Sequence, residues 1–309
     1  MQRRLAALGI DTSPDAKGIF GPGTRAAIEA FQHTRGLRID GQCGNQTWSA
    51  LVEAGFRLGD RLLYHCRPML RGDDIADLQR RLSALGFDTG RVDGIFGAMT
   101  AGALADFQRN TDLPPDGICG SRTLRELLRV MPRYSEPELV SAVRDRERMR
   151  RSPTTLLGRR IALGEEGGLD AVVTAVRRRL ASAGAQVVPI LHSDGSAQAA
   201  LANAASVEVY LGIRFEPQRT DCQAAYYTGY HYESPGGRRL ANLVCFHTLK
   251  NLRITGATAV GMSLPILRET RMPAVVCEIG PSHTVVEKGA HLAEALADAL
   301  IEWATTPFE

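Results

Sequence analysis

The first half of the chain is written twice. Gly18-Ile19-Phe20-Gly21 reappears as Gly94-Ile95-Phe96-Gly97, and the same offset carries Thr24 onto Thr100, Phe31-Gln32 onto Phe107-Gln108 and Leu37 onto Leu113. It continues through Asp40-Gly41 and Asp116-Gly117, Cys43-Gly44 and Cys119-Gly120, Thr47 and Thr123, Leu51 and Leu127. So many identities at one spacing mean one supersecondary unit used twice. In the second copy Ile75, Leu78, Leu82 and Leu85 recur at three- and four-residue steps, which predicts an amphipathic helix closed by Gly86. The turn RVDGIFG leads into a second helix with Ala103, Leu104 and Phe107 on its apolar face, and LPPDGICG into a third over residues 123–130. Each copy is therefore expected to be three helices joined by Gly/Asp turns, small for an independent core, so that the copies pack together. Phe20, Phe31, Phe96 and Phe107 are expected in the core, and Asp40 and Asp116 in turns.

The order L-x-x-L-G, D-G-I-F-G-x-x-T, F-Q, D-G-x-x-G-x-x-T resembles the type 1 peptidoglycan-binding domain. Both copies carry it, except that copy one lacks the first turn of helix one, which copy two supplies as RGDDIADLQ. The first copy thus begins late, and an upstream segment is expected to be missing. The resemblance implies affinity for cell-wall saccharide-peptide or its muramyl-peptide precursors.

Composition narrows the remaining classes. At 309 residues with a net charge of +3, the chain has room for several domains and no strong electrostatic bias. Its basic residues are nearly all arginine, and no aromatic-spaced basic stripe accompanies them, so nucleic acid is not an expected partner. The 6 cysteines are dispersed with no CxxC pair, which argues against a disulfide framework or zinc knuckle and fits a reducing compartment. Met1 runs into QRRLAALG, which lacks a signal peptide's apolar core, and no stretch is long enough to span a membrane. The expected location is the cytoplasm or the inner membrane's periphery.

The domain reading is a first repeat over residues 1–55, a second over 56–131, a linker over 132–157 and an α/β domain over 158–309. Pro132, Pro137 and Pro153 bracket the charged linker segment VRDRERMRR, read as a short exposed helix or tether. From Arg160 onward strands and helices alternate, which predicts a sheet with helices on its faces. The fold class is thus multidomain, with all-α three-helix repeats ahead of an α/β domain.

The α/β half is organised around SVEVYLGIRFEP, in which Val207, Val209, Leu211 and Ile213 read as a buried strand emptying into a loop. Ligands of open α/β sheets gather at the carboxyl ends of strands. Arg214 stands there, followed by Glu216, and an arginine so placed must meet water, a carboxylate or an anion. Glu165 and Glu166 in IALGEEGG and Glu278 in PAVVCEIGP end two further strands. These ends are expected to converge into one pocket of Glu165, Glu166, Arg214, Glu216 and Glu278.

IALGEEGG, SVEVYLGIRFEP and LPILRETRMPAVVCEIG, in this order, resemble the zinc-dependent N-acetylmuramoyl-L-alanine amidases of the amidase type 3 family. That family's chemistry implies Zn²⁺ held by two histidines and a glutamate, with a further glutamate as base. By the resemblance Glu166 and Arg214 fall on the two histidine positions, the ligand glutamate has no counterpart, and Glu278 falls on the catalytic residue. An arginine accepts no bond and cannot ligate zinc, and His192, His231 and His247 lack ligand spacing. The expectation is a vestigial Glu278, no metal ligands and no cofactor, with Arg214 pairing Glu166 and Glu278. An Arg214 pointing into solvent, an active zinc amidase with Glu278 as base, and a receptor for an anionic precursor are the alternatives. Two such repeats before such a domain resemble an actinobacterial group of wall regulators. This implies control of peptidoglycan precursor synthesis, with the UDP-N-acetylglucosamine enolpyruvyl transferase as partner and a serine/threonine kinase as regulator.

Overall fold

The computed structural model describes residues 1–130, 140–229 and 232–308. The chain divides into two compact units, Met1–Arg144 with Gly229–Tyr232, and Asp145–Thr228 with Glu233–Glu309. Pro132 and Pro137 of the expected linker, and His231, lie outside the described residues.

Each repeat is three helices. The first has α1 (Gln2–Ala7), α2 (Pro22–Thr34) and α3 (Asn45–Glu53); the second has α4 (Asp73–Ala84), α5 (Ala98–Asn110) and α6 (Ser121–Val130). Leu5, Ile28, Phe31 and Leu51 centre one buried cluster, and Ile75, Leu78, Leu82, Phe96, Leu104, Phe107 and Leu127 another. A tie between the copies is polar: Arg35 forms a bidentate pair with Asp73, at 2.9 and 2.8 Å. The charged segment after the repeats forms α7 (Val140–Arg150), of which Asp145 is buried.

The turns that recur in both copies are held by glutamine side chains. Gln32 donates through Nε2 to Asp40 Oδ1, the Gln42 carbonyl and Thr47 Oγ1, at 2.7, 3.0 and 3.0 Å. Its Oε1 accepts from the amides of Asp40 and Gly41. Gln108 repeats this bonding with Asp116, Ile118, Thr123 and Gly117. Asp40 and Asp116 are thus turn residues, each carboxylate also accepting from the amide two residues on. Gln79 does the same for the first turn of repeat two, meeting Asp93, Gly94, Ile95 and Thr100. In repeat one that turn is one residue longer and Lys17 falls opposite Asp93, so Gln2 bonds instead to the carbonyls of Ala16 and Ile19, Thr24 Oγ1 and the Gly18 amide.

One expected core residue is not in the core. Phe31, Phe96 and Phe107 are buried, but Phe20 is 49% exposed. In repeat two the Phe96 amide donates to the Leu70 carbonyl, Arg71 bridges Ile95, and Leu63 and Leu70 join the Phe96 cluster. Among the described residues no equivalent backbone pairing reaches Phe20. Phe20→Ser is expected to change stability by less than about 0.5 kcal/mol in urea unfolding, as at other exposed sites.

In the second unit β1 (Arg160–Glu165), α8 (Asp170–Ser182), β2 (Gln186–Leu191), α9 (Gly195–Ala204) and β3 (Val209–Phe215) alternate. Then follow β4 (Cys222–Tyr227), α10 (Pro235–Leu252), β5 (Ala257–Met262), α11 (Pro265–Glu269), β6 (Ala274–Ile279) and α12 (Ser282–Thr305). The strands form one sheet in the order β2-β1-β3-β6-β4-β5, parallel from β2 to β6, with β4 antiparallel to β6. Alternate residues, among them Ile161, Leu163, Val209, Leu211, Ile213, Val275, Cys277 and Ile279, pack against α8, α10 and α12. Neither β5 nor α11 is predicted above. β5 is a half-exposed edge strand, ATAVGM, without clear apolar alternation, and α11 is barely more than a turn. The sequence places a tyrosine-rich strand over residues 224–232, whereas the observed strand runs from Cys222 to Tyr227.

On the opposite face the Tyr210 hydroxyl donates to Gln198 of α9. A Cβ placed on Gly164 would lie 1.8 Å from the Tyr210 hydroxyl oxygen, so β1 carries glycine where the ring crosses it. Tyr210 is only 1% exposed and has nowhere to swing. Gly164→Ala is expected to cost about 1–3 kcal/mol through overpacking; an unchanged urea midpoint for Trp303 fluorescence, which reports this unit, would contradict that packing.

Candidate functional site

Because β1, β3 and β6 are adjacent and parallel, their carboxyl ends lie along one edge. Register aligns Arg214 with Glu278 across β3 and β6, and Glu165 with Ile213 across β1 and β3, which brings Glu166 beside Arg214. Arg214 Nη2 donates to Glu166 Oε1, and Nη1 lies 3.5 Å from Glu278 Oε1. Glu278 is 2% exposed, so its carboxylate meets those neighbours rather than water.

A second guanidinium completes the group. Arg219 Nη2 lies 3.7 Å from Glu278 Oε2 and donates to Gln223 Oε1 at 2.8 Å, while Nη1 donates to Asp221 at 2.9 Å. Gln223 stands opposite Glu278 in the antiparallel β4–β6 pairing. Sequence reading missed both residues. It began this strand at Ala224, and only the reversal of β4 returns Arg219 and Gln223 to the site; the polar run QRTDCQ was the available signal.

The remaining pocket candidates are placed differently. Glu165 accepts from the Leu169 amide at 3.2 Å at the entry to α8. Burial pushes its carboxyl above the usual range, partly offset by that bond. Glu216 enters through its backbone, its amide donating to the Ile279 carbonyl and its carbonyl accepting from the Arg219 amide. His192 Nδ1 accepts from the Asp194 amide, and buried His247 meets Glu302 at 2.8 Å.

This donor set does not suit zinc. Arg214 spans the space between the carboxylates with nitrogen donors that have no lone pair to offer. Among the described residues no group of three His, Cys, Asp or Glu side chains comes together to hold a metal. Each oxygen of Glu278 faces a guanidinium. The arrangement is a chain of charge-assisted contacts, Glu166–Arg214–Glu278–Arg219–Asp221, which locks strand ends together.

A family model described as a putative peptidoglycan binding domain matches residues 1–51 and 71–127. With the sheet and its strand ends, the repeats define a peptidoglycan-binding-type protein with an amidase-like α/β domain. N-acetylmuramoyl-L-alanine amidase CwlM of Mycobacterium tuberculosis is 35% identical over 307 residues, covering 89% of this chain and 75% of its own. The chain belongs to the CwlM family. A spore cortex-lytic enzyme of Bacillus cereus is 47% identical over 58 residues, covering 19% of this chain and 22% of its own. Among solved structures, the N-acetylmuramoyl-L-alanine amidase from Clostridium difficile 630 aligns with a TM-score of 0.42 and 18% identity, over 48% of this chain and 98% of its own. No helix among the described residues is long and apolar enough to cross a membrane.

Proposed function

We propose that this chain is a non-hydrolytic member of its family. It binds peptidoglycan or muramyl-peptide precursors through its repeats, and its amidase-like unit is a regulatory scaffold in the cytoplasm that works without zinc. The observation that carries this reading is Arg214, a fixed positive charge held between Glu166 and Glu278. Hydrolysis in a zinc amidase needs a metal with an open position and a carboxylate free to take a proton from water. Here the cation is covalently part of the chain and the carboxylate is engaged. The partner in this reading is the UDP-N-acetylglucosamine enolpyruvyl transferase, whose activity the chain raises, with a serine/threonine kinase as the upstream input; both follow from the family resemblance.

The decisive experiment incubates the full chain with excess Zn²⁺, removes free ion, and measures bound zinc alongside release of L-alanyl peptide from muramyl peptides. Substoichiometric zinc and no cleavage are expected. Stoichiometric zinc with cleavage that Glu278→Gln abolishes would overturn the reading and restore a zinc amidase. The regulatory part is tested separately, by adding the chain to purified enolpyruvyl transferase; an unchanged rate would remove that partner.

A further inference from the structure

The second unit holds another charged site at the opposite edge of its sheet. At the amino ends of the parallel strands, Arg159 immediately precedes β1, Glu208 precedes β3 and α10 begins nearby, its Gly236 carbonyl accepting from the Trp303 indole at 3.0 Å. Beside Arg159 and the start of α10 opens a small, solvent-open cleft lined by Thr154, Arg159, Arg239, Trp303 and Phe308, among others.

Arg159 is the unusual member. It is 6% exposed, yet its Nε is buried without a hydrogen-bond partner. Its Nη2 donates to the Pro153 carbonyl, and the guanidinium stands 5.9 Å from the Trp303 ring. The Glu208 carboxylate lies 3.7 Å from Nε, beyond hydrogen-bond reach, and is 44% exposed, so water screens it. A buried guanidinium left this incompletely satisfied is costly unless an anion completes it. Arg239 brings a second guanidinium, donating to the Thr306 carbonyl at 2.7 Å and lying 5.5 Å from the Phe308 ring. It sits near the start of the 18-residue helix α10, whose amino end favours negative charge.

We infer that this cleft is an oxyanion-binding site, taking a phosphate or carboxylate presented beside a flat apolar group. The two guanidiniums and the Thr154 hydroxyl supply donors, and Trp303 and Phe308 supply the apolar wall. Arginine forks match the planar or tetrahedral oxygens of such groups. The site is separate from the Arg214 cluster, so its failure would leave the proposed function standing, and the converse holds.

The chain has 2 tryptophans, so Trp48→Phe leaves Trp303 as the sole indole reporter. Full-length protein carrying that change is titrated with inorganic phosphate, and in a second arm with acetate, at constant ionic strength, following the Trp303 indole resonance. Saturable shifts with half-saturation near 1 mM are expected in at least one arm, on the order of −4 kcal/mol. The stronger arm identifies phosphate or carboxylate as the group taken. Arg239→Leu should weaken binding at least tenfold, and Arg159→Leu should abolish it if that variant folds. No shift at about tenfold higher concentration, an equal response to chloride, or an unchanged response in Arg239→Leu would overturn the site.

Discussion

Arg214→Met will cost the α/β unit about 2–4 kcal/mol, read as a lowered urea midpoint of Trp303 fluorescence. The replacement keeps much of the apolar stem but leaves Glu278, 2% exposed, short of one of its two cations. Breaking a buried pair from one side typically costs about 3–5 kcal/mol, because the surviving charge keeps its desolvation penalty. The lower range is expected here because Arg219 remains 3.7 Å from Glu278. Glu166, 34% exposed at its side chain, can turn to water and adds little. A second variant sharpens the result: combining Arg214→Met with Glu278→Leu removes both charges and should recover most of the loss. A loss below about 0.5 kcal/mol in the single variant would mean that the guanidinium does not hold the strand ends together.

Gln79→Leu is expected to destabilise repeat two by about 3–5 kcal/mol. Gln79 is 1% exposed, and its amide group satisfies the Asp93 and Gly94 amides, the Ile95 carbonyl, Asp93 Oδ1 and Thr100 Oγ1. Leucine fills similar space and serves none of them, and each buried polar group left alone costs about 1–3 kcal/mol, with losses that do not add fully. The check is hydrogen exchange of the α4 and α5 amides, which should quicken by about a hundredfold or more. Gln46→Leu, at an exposed position of α3, is the control and should leave exchange unchanged.

What could be read from residues alone follows from how local each signal is. The repeat was legible because copying preserves spacing, and the helices because Ile75, Leu78 and Leu82 mark one face. The encounter of Glu166, Arg214 and Glu278 was legible because parallel strands bring their carboxyl ends to one edge, so placing three strands placed three side chains. Arg219 and Gln223 were hidden because their position depends on β4 running backward, a pairing choice that no short window of sequence records. Phe20 misled for the complementary reason. Its motif matches Phe96, but burial of Phe96 comes from Leu63 and Leu70, far outside the motif. Gln32 and Gln108 stood in plain view as part of F-Q and Gln79 at the end of RGDDIADLQ, yet a buried amide announces itself only through the groups it meets.

The longer first turn of repeat one also sets the two copies apart in kind. At corresponding positions one copy has the exposed Lys17 and the other Asp93, whose carboxylate accepts from the Gln79 side chain and the Ile95 amide. The carboxylate that ties this turn in repeat two thus has a solvent-facing cation as its counterpart in repeat one, where Gln2 closes the same corner directly on the Ala16 and Ile19 carbonyls.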